Sequence, residues 1–402
     1  MNLSDELIVR TVGEFSHILN PFTGKLVSLS IEDFKLLKDA TKEDLDREIL
    51  ETIHIPNKKA PNSRKFRTNL INLGAEYNFP TVVNIEITRR CLLDCKHCYI
   101  TSEEHKNSKR KGLELLNKDE IDTLIKNLHD MGVFLIVLTG GEPCISSNIR
   151  DYIDACTKYN VMFEIFSCLQ IIPDWLNSSL KNLSRIQVSI YSLDDEIHDS
   201  ITQKVGSLKN SLRNINKLKK MGFYIEIATP IMTLNFEDRV EINKYFKDLG
   251  IQQNFSWPIL NEYYTPHTQK TSLNISKEQF LQFTKEDPDF LIHCEWKIKD
   301  LPLCEAGISV LSISADGSVF PCSQYPLMVG NIFEEEIHAI YQGKRMKDAI
   351  SYKAEDLCSD CEYYNFCIGN NYTETGDPLK QPTFMVESLN YAMKDISKKE
   401  VT

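Results

Sequence analysis

No stretch of this chain is apolar for the length of a membrane-spanning helix, and no basic-then-apolar leader precedes the charged opening MNLSDELIVR. The expectation is a cytoplasmic protein with no membrane partner. Positive charge is short as well: 46 Lys and Arg stand against 57 Asp and Glu, a net charge of −11. That balance argues against a nucleic-acid or anionic-lipid partner. The one basic run, His105 to Gly112, reads as a solvated loop. A reducing compartment also argues against disulfides. Cysteine, however, is plentiful at 12 residues, and clustered thiols in such a compartment point to metal.

The first 75 or so residues read as a separate small unit. EFSHILNPFTGKLVSLS has a hairpin signature around an Asn-Pro-Phe-Thr-Gly turn, and IEDFKLLKDA and KEDLDREILETI follow with helical spacing. PNKKAPNSRK reads as a linker. From Thr81 strand-like runs alternate with helical ones: TVVNIEIT, VFLIVLT, VMFEIFS, RIQVSIYS, YIEIATPIM and QQNFSWPIL are the strands. Between them lie a helix capped by Asn117, then IRDYIDACTKY, PDWLNSSLKN, SLKNSLRNINKLKKMG and EDRVEINKYFKDLG, with a further helix from Lys277. Six parallel strands with crossover helices make an α/β fold, an open or partial (β/α)6 barrel rather than a closed eight-fold one. From about Cys294 the alternation stops, and SISADGSVFPC reads as a hairpin turning at Asp316 and Gly317. The expected division is 1–75, 81–290 and 291–402.

TRRCLLDCKHCYI places Cys91, Cys95 and Cys98 just beyond the first barrel strand. A structural zinc site wants four closed ligands, and no fourth cysteine follows nearby. Three thiolates instead suit an iron–sulfur cube with one open iron at the barrel mouth. TGGEPC, from Thr139 to Cys144, ends the second strand at the same sheet edge. The CxxxCxxC spacing with this Gly-Gly-Glu-Pro loop resembles the radical S-adenosylmethionine (radical SAM) superfamily. The resemblance implies a [4Fe-4S] cluster on Cys91, Cys95 and Cys98 whose free iron chelates SAM. One-electron cleavage then yields a 5′-deoxyadenosyl radical that abstracts a substrate hydrogen. His97 fills a position that is usually aromatic in the family. Gly140, Gly141, Glu142 and Pro143 are the implied SAM-binding loop, with the glycines admitting backbone carbonyls to the SAM ammonium and Glu142 as acceptor and countercharge. Ser189, ending the fourth strand in VSIYSLDDEIHDSIT, is a candidate for the SAM ribose. His198 and Asp199 could either cap the next helix or touch the ligand.

Cys304, Gly317 and Cys322, then Cys358, Cys361 and Cys367, resemble the SPASM domain, which holds auxiliary iron–sulfur clusters in peptide and protein maturases. Cysteines of that pattern are missing here: Asn371 stands three residues beyond Cys367, and the tail after TGDPL has none. With Cys294 counted, six cysteines remain where two fully thiolate-ligated clusters need eight. One or two auxiliary clusters, a zinc site, or a scaffold that lost a cluster all remain open. Cys144 and Cys168, at strand ends, are candidates for hydrogen-atom donors or small buried hydrophobes. The first unit resembles the leader-peptide-binding winged-helix-like units of such maturases, or is a cap.

The expectation is therefore a radical SAM enzyme that crosslinks or epimerises a ribosomally made precursor peptide, with flavodoxin or ferredoxin as electron donor. A sulfatase-maturase-like protein oxidation and a non-catalytic iron–sulfur redox protein are the alternatives.

Overall fold

The computed structural model describes residues 3–37, 40, 44–55, 63–100, 112–177, 180–256, 273–286, 305–325 and 327–351. Three antiparallel strands begin the chain: β1 (Ile8–Val12), β2 (Phe15–Leu19) and β3 (Leu26–Ser30), in the order β1-β2-β3. The expected hairpin joins β2 to β3, with Leu19 opposite Leu26. Asn20 makes the turn by accepting the Phe22 N–H at 3.0 Å through its side chain and the Gly24 N–H at 2.9 Å through its carbonyl. Helices α1 (Ile31–Leu37) and α2 (Arg47–Ile53) follow as expected, α2 capped by Asp46. A third helix, α3 (Ser63–Tyr77), was not anticipated.

Six parallel strands come next: β4 (Val82–Thr88), β5 (Leu135–Gly140), β6 (Met162–Ser167), β7 (Leu183–Ser189), β8 (Ile225–Pro230) and β9 (Gln252–Ser256). The crossovers carry α4 (Lys118–Asp130), α5 (Ile149–Lys158), α6 (Asp195–Thr202), α7 (Ser207–Lys220) and α8 (Arg239–Asp248), and α9 (Lys277–Glu286) follows β9. In α4, Asn117 and Glu120 form a capping box, and Ile121, Leu124, Ile125 and Leu128 are all buried against the sheet. The helix expected in PDWLNSSLKN is not formed: its described residues make turns, in which Leu176 N–H bonds Pro173 O and the Asn177 side chain bonds Trp175 O. Asn177 competes with the backbone for a carbonyl in this way, which disfavours a helix at that point. The crossover instead gains α6 on the next connection.

The sheet does not stop at β4. A C-terminal strand, β10 (Val310–Ile313), pairs parallel with β4, and β11 (Ser318–Phe320) and β12 (Gly330–Asn331) extend it antiparallel. The expected hairpin at Asp316 and Gly317 is thus the join between the C-terminal region and the barrel. Two short helices, α10 (Ile337–Gln342) and α11 (Lys344–Ala349), pack behind it on the same apolar cluster as α4.

The N-terminal sheet and α3 close the opposite, amino-terminal end of the barrel. Ile8, Leu19, Phe66, Leu70 and Leu73 share one buried cluster with Val82, Phe134, Leu135 and Met162. Arg10, buried, donates to Val133 O at 2.9 Å and Asn160 O at 2.8 Å. The boundary read at residue 75 therefore falls inside α3, a helix packed on the barrel.

The lumen is polar. Arg185 on β7 lies between two fully buried carboxylates, Glu164 at 3.0 Å and Glu226, while Arg67 of α3 reaches Glu164 at 3.2 Å. Such a group is costly to bury alone and holds only as a set. Replacing Arg185 with Leu leaves Glu164 and Glu226 under-compensated, and denaturant titration should show a loss of about 3–5 kcal/mol. A loss below about 1 kcal/mol would mean that water reaches the pair.

Candidate active site

The carboxyl edge of β4 is fastened on both sides before the cysteines begin. Arg89 turns toward the C-terminal hairpin, donating to Ser314 Oγ at 2.8 Å and Asp316 at 3.1 Å. Arg90 turns the other way, into an ion pair with buried Glu114, which also accepts Thr88 Oγ1 at 3.0 Å. The cysteine loop then lies against the end of α6: Asp94 N–H bonds Thr202 O at 3.1 Å, Lys96 N–H bonds Ile201 O at 2.9 Å, and Lys204 Nζ reaches Leu92 O at 3.1 Å.

Cys91, Cys95 and Cys98 are partly exposed and free of disulfides. The thiol of Cys95 is pushed up by burial and then by the charges of its two neighbours Cys98 and Cys91. Among the described residues no three His, Cys, Asp or Glu side chains close around a single metal ion; the three cysteines follow one another along a short arc of chain after β4. Leu93 N–H already points at Cys91 Sγ, 3.4 Å away.

The glycine loop meets this arc backbone to backbone. Gly141 N–H bonds Thr88 O at 2.7 Å and Glu142 N–H bonds Arg90 O at 2.8 Å. A Cβ on Gly140, whose φ is +133°, would stand 2.1 Å from Thr88 O, and one on Gly141 would stand 2.2 Å from Arg90 O. The two glycines are required by the approach of the loops to each other. Glu142 is fully buried and already engaged: its carboxylate accepts Cys144 N–H (3.0 Å), Cys168 N–H (2.8 Å), Ser167 Oγ (2.8 Å) and Cys168 Sγ (2.8 Å). It stitches β5 to β6, and in this structure it is no exposed countercharge. Pro143 is buried at the start of a single 3-10 turn.

The two thiols proposed as hydrogen-atom donors part company. Cys144 belongs to the apolar cluster behind the sheet, and burial pushes its thiol up. Cys168 faces the arc. It hydrogen-bonds Cys91, which lowers Cys91, whereas Cys168 itself is raised, first by that bond and then by burial and Glu142. Cys156 is core, as expected.

Ser189 ends β7 within hydrogen-bonding reach of Tyr191. Tyr191, which the sequence reading passed over, lies on the cysteine loop: its hydroxyl is 3.9 Å from Cys95 Sγ, and its ring is edge-on to His97 with centroids 4.7 Å apart. His198 and Asp199 are structural. Nδ1 of His198 accepts Tyr191 N–H at 3.2 Å, and Asp199 caps α7 through Leu208 N–H at 3.1 Å and Ser207 Oγ at 2.8 Å. Of the C-terminal cysteines only Cys322 is described, just after β11 with Gln324 N–H 3.4 Å from its sulfur. Cys294, Cys304, Cys358, Cys361 and Cys367 lie outside the described residues.

Family profiles match this arrangement twice. The radical SAM superfamily profile covers residues 85–250, and the SPASM profile, an iron–sulfur cluster-binding domain, covers residues 304–362. The chain carries a radical SAM domain and a SPASM domain. The subtilosin biosynthesis protein AlbA of Bacillus subtilis is 23% identical over 69% of this chain and 63% of its own length. The GTP 3′,8-cyclase of Aquifex aeolicus is 26% identical over 60% of this chain and 81% of its own. The chain thus spans less than two thirds of AlbA. Among solved structures, Streptococcus suis SuiB bound to its precursor peptide SuiA superposes with a TM-score of 0.67 at 14% identity, over 96% of this chain and 99% of SuiB, which shows a common fold.

The radical SAM domain implies a [4Fe-4S] cluster and SAM, and the SPASM domain implies auxiliary iron–sulfur centres. The chemistry of the donor set fits the first: three free, soft thiols on one loop, one with a backbone N–H aimed at its sulfur, are one ligand fewer than the four irons of such a cluster need.

If the two loops can meet only through glycine, Gly141→Ala must part them. The crowding costs about 1–3 kcal/mol, and SAM affinity measured by calorimetry on the reconstituted enzyme should fall about tenfold or more. Unchanged affinity would mean that the loops are free to separate.

Proposed function

We propose that this radical SAM enzyme acts on a ribosomally synthesised precursor peptide, forming a crosslink or inverting a centre. The observation that carries the reading is a groove of about 750 Å³ in the N-terminal unit. It runs along β3, which among the described residues pairs with β2 alone. Lys25 and Leu26 to Ser28 of β3 form one wall, and Arg47, Glu51, Asn69, Asn72 and Tyr77 of α2 and α3 face them. An unpaired strand edge beside a helix can take up an extended peptide by backbone pairing. SuiB, solved with a precursor peptide, and AlbA, named for bacteriocin biosynthesis, support the same substrate class. A globular substrate of the sulfatase-maturase kind needs no such groove.

Bound and reduced, the cluster and SAM supply a 5′-deoxyadenosyl radical. Cys91, Cys95 and Cys98 would hold the cluster, and the Gly140–Pro143 loop, His97 and Ser189 would orient SAM. A cavity of about 170 Å³ opens beside them, lined by Asn84, Glu86, Tyr99, Phe166, Ser312 and Phe320 among others, and it suits a substrate side chain. Burial raises the Glu86 carboxyl, and Tyr99 Oη (2.8 Å) and Ser314 Oγ (3.0 Å) both donate to it. Auxiliary clusters on the SPASM cysteines would pass electrons, with flavodoxin or ferredoxin as the cytoplasmic donor. Among the described residues no helix is long and apolar enough to cross a membrane.

The test is anaerobic incubation with dithionite, SAM and a short peptide encoded beside the gene. The expected products are 5′-deoxyadenosine and a peptide altered in mass by a crosslink or, with unchanged mass, in stereochemistry. 5′-Deoxyadenosine with no change in any such peptide would sink the substrate class while leaving the family intact.

Deleting residues 1–75 would expose the buried face of the barrel, so the groove is better tested by Asn72→Trp. Asn72 is exposed on α3, and a bulky ring there should weaken peptide binding by about tenfold or more. Peptide-independent SAM cleavage should stay at the wild-type rate. Equal loss of both would make the unit a cap.

A further inference from the structure

We infer that the Tyr191 hydroxyl is a hydrogen-bond donor to the Cys95 thiolate and sets the reduction potential of the SAM-binding cluster. The inference rests on Cys95 being a cluster ligand. In the thiol form Cys95 donates to Tyr191 Oη with the sulfur 3.9 Å away, near the 4.0 Å limit for a hydrogen bond to sulfur. Once the thiol ionises to bind iron it has no proton to give, and the phenol becomes the donor.

Tyr191 is built to stay where it is. Its N–H is held by His198 Nδ1 at 3.2 Å, and its carbonyl accepts Asn235 Nδ2 at 2.8 Å. Asn235 is itself fixed by Met232 N–H at 2.8 Å. The ring is wedged edge-on against His97 and tilted against His198, with centroids 4.7 and 5.3 Å away. It shares a buried apolar cluster with Ile201 and Met232, against which Cys95 packs. Ser189 also hydrogen-bonds the phenol oxygen. Ser189 can therefore satisfy that oxygen's lone pair, leaving the phenol proton directed at sulfur.

A donor aimed at a ligating sulfur favours the more negatively charged, reduced cluster, and does so most strongly where water is excluded. The set is then asymmetric: Cys91 draws a backbone donor from Leu93, and Cys95 draws a side-chain donor from the loop after β7. Removing the hydroxyl should make the cluster harder to reduce without changing its ligands. Tyr191 is thus a tuning residue, and its signature is a potential.

The experiment is an EPR-monitored redox titration of anaerobically reconstituted wild type and Tyr191→Phe, following the reduced-cluster signal that SAM perturbs, with iron and sulfide counted in each. Tyr191→Phe should keep wild-type iron and titrate at a more negative potential. The same potential with the same iron content overturns the inference. Should the Phe variant lose the cluster, 3-fluorotyrosine placed at 191 retains the ring and gives a stronger donor. A shift to a more positive potential supports the inference, and no shift overturns it. Wild type with no SAM-responsive signal at all would instead strike at the cluster assignment itself.

Discussion

Everything at the active edge depends on one close approach: the backbone after β4 and the backbone after β5 touch with no room for a side chain between them. Gly141 N–H to Thr88 O and Glu142 N–H to Arg90 O zip the cysteine loop to the glycine loop. Cβ atoms at 140 and 141 would fall within 2.2 Å of the opposing carbonyls. Glu142 then carries the fastening one strand further, to Ser167 and Cys168 at the end of β6. Three strand ends are thereby tied into one rigid rim. The cysteines hang from that rim, and α6 and Tyr191 close them from the other side.

The remaining parts of the molecule are attached to the same sheet rather than hung beside it. At one end the N-terminal sheet and α3 bury their apolar faces on Val82, Phe134 and Met162, and Arg67 sends a charge into the lumen to Glu164. Along the first barrel strand, β10 adds itself in parallel, and Arg89 bonds to Ser314 and Asp316 of its hairpin. A shift of either terminal region would be felt at β4, whose two arginines precede the first cysteine. This placement sets the N-terminal groove, the smaller cavity and the cysteine loop on one continuous framework, with the C-terminal hairpin forming part of the cavity wall.

Much of this was legible in the chain itself. The six parallel strands, the Asn117 cap, the β2–β3 turn and the hairpin at Gly317 follow from local rules, because period, capping and turn chemistry act within a few residues. The cysteine spacing and the Gly-Gly-Glu-Pro loop are equally local. PDWLNSSLKN misled because an apolar spacing of Trp175, Leu176 and Leu180 looks helical whether the residues pack from a helix or from turns. β1 and α3 went unread because their patterns are short or broken, although they form the interface that fixes the N-terminal unit.

What the sequence alone determined was the barrel, the cysteine arc and the family, since each is written in contiguous residues. Only the tertiary structure decided that Glu142 is consumed in stitching strands, that Cys144 faces the core while Cys168 faces Cys91, that β10 completes the sheet, and that Tyr191 rests on Cys95. Those facts concern residues 25 to more than 200 positions apart, and no local periodicity encodes which strand end will meet which. The parallel sheet brings them together, because every β–α crossover returns the chain to the same edge.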